Sequence, residues 1–200
     1  MAAKAMCPND NTPVLPVNIC SPSTTTRLMR STVATLLAAK LGGSSVDLDE
    51  CVERDSGKSP RDLFMEGPEH FRRQEAESLQ LLLNLHQMVP GNAPLVLATG
   101  GGIVDNPPAW ELLQNRCILI LLDIDANTAF TRILESSKTR GLPSFLNTED
   151  PRETHRALHD NRMARYRAAA DLRIETAAMS PQDCARNIYN ELIDANMLDP

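Results

Sequence analysis

Four polar motifs, spread over more than a hundred residues, carry side chains that suit a small polyhydroxy acid. They are Asp47-Leu48-Asp49-Glu50, Phe71-Arg72-Arg73, Thr99-Gly100-Gly101-Gly102 and Asn161-Arg162. Carboxylates accept hydrogen bonds from hydroxyl groups, and guanidinium groups bind a carboxylate through two parallel hydrogen bonds. Consecutive glycines expose the backbone to a ligand because no Cβ stands in the way. These residue types predict a site for hydroxyl and carboxylate groups.

Residues 23–32 lie between the first predicted strand and the first predicted helix, where phosphate-binding loops occur. Such loops use glycines for close backbone approach and a lysine that reaches the terminal phosphates. This segment contains neither and reads Ser23-Thr24-Thr25-Thr26-Arg27-Leu28-Met29-Arg30-Ser31-Thr32. Two interpretations stay open: the threonine hydroxyls bind a nucleotide in altered geometry, or nucleotide binding is lost.

The composition is that of a globular protein with one domain. Of the 200 residues, 42% are apolar and 23% are charged, so residues 14–200 can form one core, and residues 1–13 are predicted to be a disordered lead-in. A net charge of −6 argues against nucleic-acid binding, and no apolar run is long enough to cross a membrane. The five cysteines form no CxxC pair, which argues against a zinc site. These observations favour a cytoplasmic protein.

Short apolar runs alternate with amphipathic segments, which is the pattern of a parallel sheet covered by helices on both faces. Strands are predicted over residues 14–20, 44–48, 95–98, 117–122 and 172–174. Helices are predicted over residues 31–41, 60–66, 69–88, 107–113, 126–135, 152–170 and 181–196, with a loop over residues 136–150. Polar motifs that follow the strands are expected to meet where parallel strands end.

In order and spacing, these motifs resemble those of shikimate kinases, over about residues 14–195. The resemblance implies an α/β fold of the P-loop kinase type, in three layers, with a central parallel five-stranded sheet flanked by helices and a lid loop. It also implies the family reaction, in which the γ-phosphoryl group of ATP is transferred to the 3-hydroxyl of shikimate with Mg²⁺ as cofactor.

The resemblance assigns roles in binding the acceptor. Asp49 is implied to be the catalytic base or the group that orients the reacting hydroxyl. The implied substrate-binding residues are Asp49, Arg72, Glu75, Gly100, Gly101, Gly102 and Arg162, with the two arginines holding the carboxylate. From the residues alone, residues 47–50 can also be the acidic start of a helix, and Arg72 with Glu75 a surface pair. If the strand stays extended, Asp47 and Asp49 share one of its faces.

The resemblance also assigns roles at the phosphate end. Arg30 stands where the family has lysine, and three further positions stand where it has glycine. The implied nucleotide-binding residues are Thr24, Arg27, Met29, Arg30, Ser31, Thr32 and Arg132, the last beside adenine. Mg²⁺ is implied to contact Ser31 and, through water, Asp47. In the lid sequence Arg140-Gly141-Leu142-Pro143, Arg140 is implied to be a second catalytic residue, in contact with the transferring phosphate.

Three functional hypotheses are compatible with these motifs. The protein is a shikimate kinase whose activity is attenuated or lost because its loop lacks glycine and lysine, an inactive shikimate-binding protein with a regulatory or scaffold role, or a kinase for another acceptor. The first predicts Mg²⁺ and ATP as cofactors. The second predicts no cofactor and allows a protein partner. In the first two, shikimate is the small-molecule ligand, and no hypothesis includes a nucleic acid or a membrane as partner.

Overall fold

The computed structural model describes residues 15–22, 27–88 and 93–197, with the backbone alone for Arg27, Leu28, Thr139, Arg140 and Ser144. The predictions for residues 1–13 and for Thr24 therefore lie outside the described residues. The same holds for the predictions that concern the side chains of Arg27 and Arg140. Within the described ranges, no helix is long and apolar enough to span a membrane.

Five parallel strands form one sheet at the centre of the molecule. The strands are β1 (Val17–Cys20), β2 (Ser44–Asp47), β3 (Leu95–Ala98), β4 (Ile118–Asp123) and β5 (Leu172–Glu175), in the spatial order β2-β3-β1-β4-β5. The strands β1 and β3 are buried along their whole length, as expected where both faces of a parallel sheet are covered. The predicted five-stranded parallel sheet is confirmed.

Eight α-helices surround the sheet in the described part of the chain. They are α1 (Arg27–Leu41), α2 (Leu48–Ser56), α3 (Pro60–Glu66), α4 (Pro68–Gln87), α5 (Pro107–Arg116), α6 (Ala126–Arg140), α7 (Pro151–Ala169) and α8 (Pro181–Asp194). Two short 3₁₀ turns, Ile103–Asp105 and Ser144–Leu146, lie in the loops after β3 and after α6.

Two apolar clusters, one on each face of the sheet, hold the three layers together. The side chains of Val17 and Ile19 belong to the cluster that includes α1 and α8, whereas Cys20 belongs to the cluster that includes α2, α4, α5 and α7. This division follows from the period of two along a strand. Both clusters leave the edge formed by the carboxyl ends of the strands available for polar residues.

Polar side chains fix where several helices begin. Side-chain oxygens of one residue before each of α2, α3, α6, α7 and α8 accept hydrogen bonds from backbone N–H groups of the first turn, which satisfies donors that have no partner inside the helix. These residues are Asp47, Ser59, Asp125, Asp150 and Ser180. The predicted helix starts at Pro60 and Pro181 are confirmed.

The alternative interpretation of residues 47–50, the acidic start of a helix, is confirmed by α2, and Asp47 and Asp49 do not lie together in an extended strand. The strand β2 ends at Asp47, whose Oδ1 accepts a hydrogen bond of 3.0 Å from the backbone N–H of Asp49. Helix α2 therefore begins at Leu48, and Leu48, Cys51 and Val52 are buried at helical spacing. The acidic motif both begins a helix and lies at the carboxyl edge of the sheet.

Helix α6 continues to Arg140, so the predicted loop over residues 136–150 begins only at Gly141. The hydroxyls of Ser136 and Ser137 donate hydrogen bonds to the backbone carbonyl oxygens of Ile133 and Leu134. These bonds satisfy the polar side chains inside the helix, where the sequence alone favoured a loop. Gly141, with a φ of 75°, ends the helix in a conformation that favours glycine. The lid loop is therefore residues 141–150.

Candidate functional site

A cavity of about 440 Å³ opens at the carboxyl edge of the sheet. It brings together all seven residues predicted to bind the acceptor, namely Asp49, Arg72, Glu75, Gly100, Gly101, Gly102 and Arg162, together with Arg30 and residues 141–143 of the lid loop. A second groove, of about 630 Å³, lies between α4 and α5 and is lined by none of these residues. The smaller cavity is the candidate site, because it alone of the two collects ionisable groups from six separate segments.

Two carboxylates meet at the backbone of Gly100. A Cβ on Gly100 would lie 3.7 Å from Oδ1 of Asp49 and 4.0 Å from Oε1 of Glu75. Asp49 reaches this point from the first turn of α2, and Glu75 from the middle of α4. The bare backbone of Gly100 therefore leaves space beside both acids, where a hydroxyl group of a ligand can donate a hydrogen bond.

Glu75 is buried, with 3% of its surface exposed. Burial raises the pKa of its carboxyl group to about 7, and the neighbouring charge of Asp49 adds to this effect, whereas a hydrogen bond from Asn106 opposes it. At neutral pH, this group is therefore divided between its protonated and ionised forms. A carboxyl group in that state can either donate or accept a hydrogen bond.

Asn106 was missed by the sequence analysis, although it organises this part of the site. Its Nδ2 donates to Oε2 of Glu75 at 2.8 Å and to the backbone carbonyl oxygen of Arg72 at 2.7 Å. The asparagine thereby links the loop after β3 to the helix that carries both predicted residues. The only signal in the sequence was Asn106 before Pro107-Pro108, which indicates a helix start and nothing about α4.

The predicted pairing of Arg72 with Glu75 takes a different form in the structure. Both side chains line the cavity, but Nη1 of Arg72 donates to Oε1 of Glu69 at 2.8 Å, whereas Glu75 receives its hydrogen bond from Asn106. The side chain of Arg72 is 38% exposed. Arg72 is therefore a cation at the rim of the cavity, free to exchange an exposed partner for a ligand.

Arg162, on α7, is the better-buried cation of the predicted carboxylate clamp, with a side chain that is 13% exposed. Its Nε and Nη2 lie 2.8 and 2.7 Å from Oδ2 of Asp105. The other oxygen of Asp105 accepts a hydrogen bond of 2.9 Å from Arg165. A Cβ on Gly102 would lie 3.2 Å from Nη2 of Arg162, so a side chain at Gly102 would push against the guanidinium. No motif in the sequence indicated Asp105.

Tyr166, in the core, hydrogen-bonds to the backbone of Gly101, the middle glycine of the triplet. The hydroxyl of this fully buried tyrosine donates to the backbone carbonyl oxygen of Gly101 at 3.2 Å, and its ring packs edge-on against Trp110. Tyr166 therefore fixes the loop from the core, as a packing residue. The loop backbone on the cavity side is left for a ligand.

At the phosphate end, Arg30 of α1 lines the same cavity and is 3% exposed. Burial lowers the pKa of its guanidinium, and the carboxylate of Asp49 is the largest of the influences that oppose this shift. The Nε and Nη1 atoms of Arg30 have no hydrogen-bond partner among the described residues. Met29, beside it, instead packs against the apolar cluster that includes α1 and α8.

Ser31 and Asp47 adjoin each other as the predicted metal site requires. The hydroxyl of Ser31 donates to Oδ2 of Asp47 at 2.7 Å, which joins the start of α1 to the end of β2. Nowhere in the described residues do three or more histidine, cysteine, aspartate or glutamate side chains cluster as they would around a tightly held metal. One hydroxyl and one carboxylate fit Mg²⁺, which keeps several waters and takes other ligands from substrate phosphates.

The remaining predicted residues lie away from the cavity or outside the described side chains. Nη2 of Arg132 donates to the backbone carbonyl oxygens of Thr176 and Ala177, in the loop after β5. Its predicted place beside adenine stays a prediction, as do the roles of Thr32 and of the Arg140 side chain. The lid loop is anchored on α6, where Phe145 and Leu146 pack against an apolar pair of that helix.

Comparison with known proteins supports one family. The sequence model described as shikimate kinase matches residues 30–193. The shikimate kinase of Synechococcus elongatus is 37% identical over 165 residues, which cover 82% of this chain and 80% of the relative. That of Macrococcus caseolyticus is 30% identical over 165 residues, or 82% of this chain and 90% of the relative. The structure of the Acinetobacter baumannii shikimate kinase in complex with shikimate is similar, with a TM-score of 0.74, 29% identity and coverage of 93% of this chain and 96% of that one.

Proposed function

The chain belongs to the shikimate kinase family, and we propose that its cavity binds shikimate while its capacity for phosphoryl transfer is strongly attenuated. The observation that carries the proposal is the shared lining of one cavity by Asp49, Gly100–Gly102, Arg72 and Arg162. A solved relative, the Acinetobacter baumannii enzyme, is described in complex with shikimate. The placement of this protein in the cytoplasm stays a prediction.

The carboxylate of shikimate is assigned to the two arginines. Arg162 is held by Asp105 through Nε and Nη2 and also lines the cavity. Arg72 supplies a second cation from the rim. A carboxylate bound between two guanidinium groups gains charge-assisted hydrogen bonds, which are stronger than neutral ones. The absence of a side chain at Gly102 keeps the space next to the Arg162 guanidinium free, because a Cβ there would push against Nη2 of the arginine.

The hydroxyl groups are assigned to the acids beside Gly100. Asp49 is proposed to accept the proton of the reacting 3-hydroxyl, and a general base must be within hydrogen-bond reach of the proton that it removes. Glu75, whose pKa is raised to about 7, contributes a second group that can accept or donate. These roles follow from the position of both carboxyl groups at the open backbone of Gly100.

Members of the shikimate kinase family use ATP and Mg²⁺. In this chain, Ser31 and Asp47 are the residues that would hold Mg²⁺, which neutralises charge on the phosphates when it is bound. Arg30 supplies a positive charge at the start of α1. A guanidinium is larger than an ammonium and cannot replace it in a tight phosphate site without rearrangement.

The proposed attenuation rests on residues 23–30, which contain no glycine and no lysine. Phosphoryl transfer depends mainly on positioning and on charge stabilisation by groups that are already in place. A loop that presents side chains where backbone N–H groups normally face the phosphates loses much of that positioning. The family reaction is therefore expected to be slow in this protein, although the acceptor site is complete.

The test compares the natural protein with a variant that carries the four substitutions Thr24→Gly, Arg27→Gly, Met29→Gly and Arg30→Lys. Calorimetry measures shikimate and Mg-ATP binding separately, and a coupled assay measures shikimate-dependent ADP release. We expect equal shikimate affinity in both proteins and turnover at least roughly a hundred-fold higher in the variant. Because Met29 packs in the core, a thermal melt of the variant verifies its fold.

The outcomes separate the hypotheses. Shikimate binding with turnover at background in the natural protein identifies the inactive, shikimate-binding form. High turnover in the natural protein shows that the threonines rebuild the phosphate site. Failure of both proteins to bind shikimate contradicts the proposed acceptor and leaves a kinase for another acceptor as the remaining hypothesis.

A further inference from the structure

Arg30 is an unusual residue energetically. Within the described residues, it is the only arginine or lysine that is buried, and two of its three guanidinium nitrogens have no hydrogen-bond partner. A buried charge is costly unless hydrogen bonds and an opposite charge compensate it. The nearby carboxylate of Asp49 compensates only in part, because burial still lowers the pKa of Arg30. An anion in the cavity would supply the missing partners.

The position of Arg30 indicates which kind of molecule carries that anion. The arginine lines the same cavity as Asp49, Glu75, Gly100 and Arg162, which are the groups assigned to the acceptor. A phosphate group attached to the acceptor hydroxyl beside Asp49 would therefore lie within the space that Arg30 faces. A guanidinium matches a phosphate geometrically, because two of its N–H groups can bind two phosphate oxygens at once.

We propose that Arg30 binds a phosphate carried by the hydroxy acid itself, so that the cavity takes a phosphomonoester of the acid, without any nucleotide, more tightly than the free acid. This inference rests on the proposed function, because it places the carboxylate of the same ligand at Arg162 and Arg72. The cavity then has a cation for each anionic end of one small molecule. The protein acts as a receptor for the phosphorylated acid, and any kinase activity that it retains is held back by its own product.

The charges of the ligand and of the cavity determine how much more tightly the phosphate ester should bind than the free acid. A phosphomonoester carries close to two negative charges at neutral pH, and the carboxylate of Asp49 beside it opposes binding. The buried guanidinium of Arg30 attracts the phosphate and offsets this repulsion, and charge interactions in the protein interior are stronger than in water. We therefore expect a gain of about tenfold in affinity over the free acid, rather than the much larger gain that an uncompensated cation would give.

The experiment is calorimetry without nucleotide, with shikimate and shikimate 3-phosphate titrated separately into the natural protein and into Arg30→Gln. We expect the phosphate ester to bind the natural protein about tenfold more tightly than shikimate does. In Arg30→Gln, the preference should fall to twofold or less, while shikimate affinity stays within twofold. Lys40→Gln, which removes an exposed cation from the other end of α1, should leave both affinities unchanged.

Because Arg30→Gln removes a buried charge that Asp49 compensates in part, a thermal melt of the variant verifies that it keeps its fold. Equal affinities of the natural protein for the two ligands would overturn the inference, and that comparison needs no variant. A third titration, with Mg-ATP, tests whether Arg30 binds the phosphates of a nucleotide instead of the phosphate of the ester. If Arg30→Gln weakens Mg-ATP and leaves the ester preference intact, Arg30 serves the nucleotide and the inference is wrong.

The failure of the proposed function gives a separate result. If neither shikimate nor its 3-phosphate binds the natural protein at millimolar concentration, the assignment of the acceptor fails and the inference fails with it. If shikimate binds and the ester binds no better, only the inference about Arg30 is overturned.

Discussion

Arg162 and Asp105 form an ion pair inside the candidate site, with Nε and Nη2 of the arginine 2.8 and 2.7 Å from one carboxylate oxygen. The pair joins α7 to the turn after β3 and fixes the direction in which the guanidinium faces the cavity. Asp105 also binds Arg165. The carboxylate clamp therefore depends on an acid that the ligand does not need to touch.

Asp105→Ala should weaken shikimate binding by roughly tenfold, or about 1.4 kcal/mol. Without the carboxylate, the arginine loses the partner that orients it and must be ordered again when the ligand binds. Calorimetry of the variant measures the change. Asp160→Ala is the matched control, because this acid of α7 has a side chain that is 67% exposed, pairs with His159 and does not line the cavity. Equal losses from both variants would contradict a specific role for Asp105.

The two arginines of the clamp should contribute unequally. Arg162→Ala should cost roughly 2–4 kcal/mol of shikimate binding, because the arginine is well buried and charge-assisted hydrogen bonds are strongest there. Arg72→Ala should cost less, about 1–2 kcal/mol. The side chain of Arg72 is 38% exposed, and it must give up its ion pair with the exposed Glu69 when it binds the ligand. Arg73→Ala, at the next position on α4, is the control. A larger loss at Arg72 than at Arg162 would reverse the assignment.

Much of the fold was predictable because it depends on local patterns. Consecutive apolar residues predicted β3 and β4, and the serine and proline before α3 and α8 predicted where those helices begin. The residues predicted to bind the acceptor do line one cavity, although Arg162 lies well inside α7, and their roles in binding stay predictions. The sequence indicated residue types, and parallel topology brought them together.

The supporting residues could not be predicted because their contacts join distant parts of the chain. Asn106 binds Glu75, 31 positions away, and Asp105 binds Arg162, 57 positions away. No periodicity or spacing indicates such pairs. The sequence left two interpretations of residues 47–50 open, because Asp47 ends a strand and caps a helix at the same point. The length of α6 depends on serine hydroxyls that bond back to the helix.

Glu75 should make the stability of the free protein depend on pH. Burial raises its pKa from 4.5 to about 7, so the folded protein holds this proton more tightly than the unfolded chain does. Its contribution to stability is full below pH 4.5, declines as pH rises toward about 7 and is lost above that. The loss is on the order of 3 kcal/mol.

The measurement is the free energy of unfolding of the natural protein and of Glu75→Gln at pH 5 and pH 8. Glutamine keeps an acceptor for Asn106 but does not ionise. The natural protein should lose more stability between the two pH values than the variant does, and the difference isolates Glu75 from other titrating groups. Identical pH dependence in both proteins would show that Glu75 does not titrate in this range.

Arg30→Lys alone should leave shikimate-dependent turnover within about threefold of the natural protein. The lysine restores the ammonium, but positions 24, 27 and 29, where the family has glycine, still carry residues with a Cβ. The variant with glycine at those three positions as well as lysine at position 30 should be much faster. A large gain in turnover from Arg30→Lys by itself would show that the backbone of the natural loop was already adequate.

The central claim is that the acceptor site is intact, and calorimetric titration of shikimate into the natural protein, without nucleotide, tests it most directly. Arg162→Ala serves as the matched protein with the clamp removed. The account predicts saturable one-site binding, with a dissociation constant below one millimolar, that is lost in Arg162→Ala. No binding by the natural protein at millimolar shikimate, or equal binding by both proteins, would contradict it.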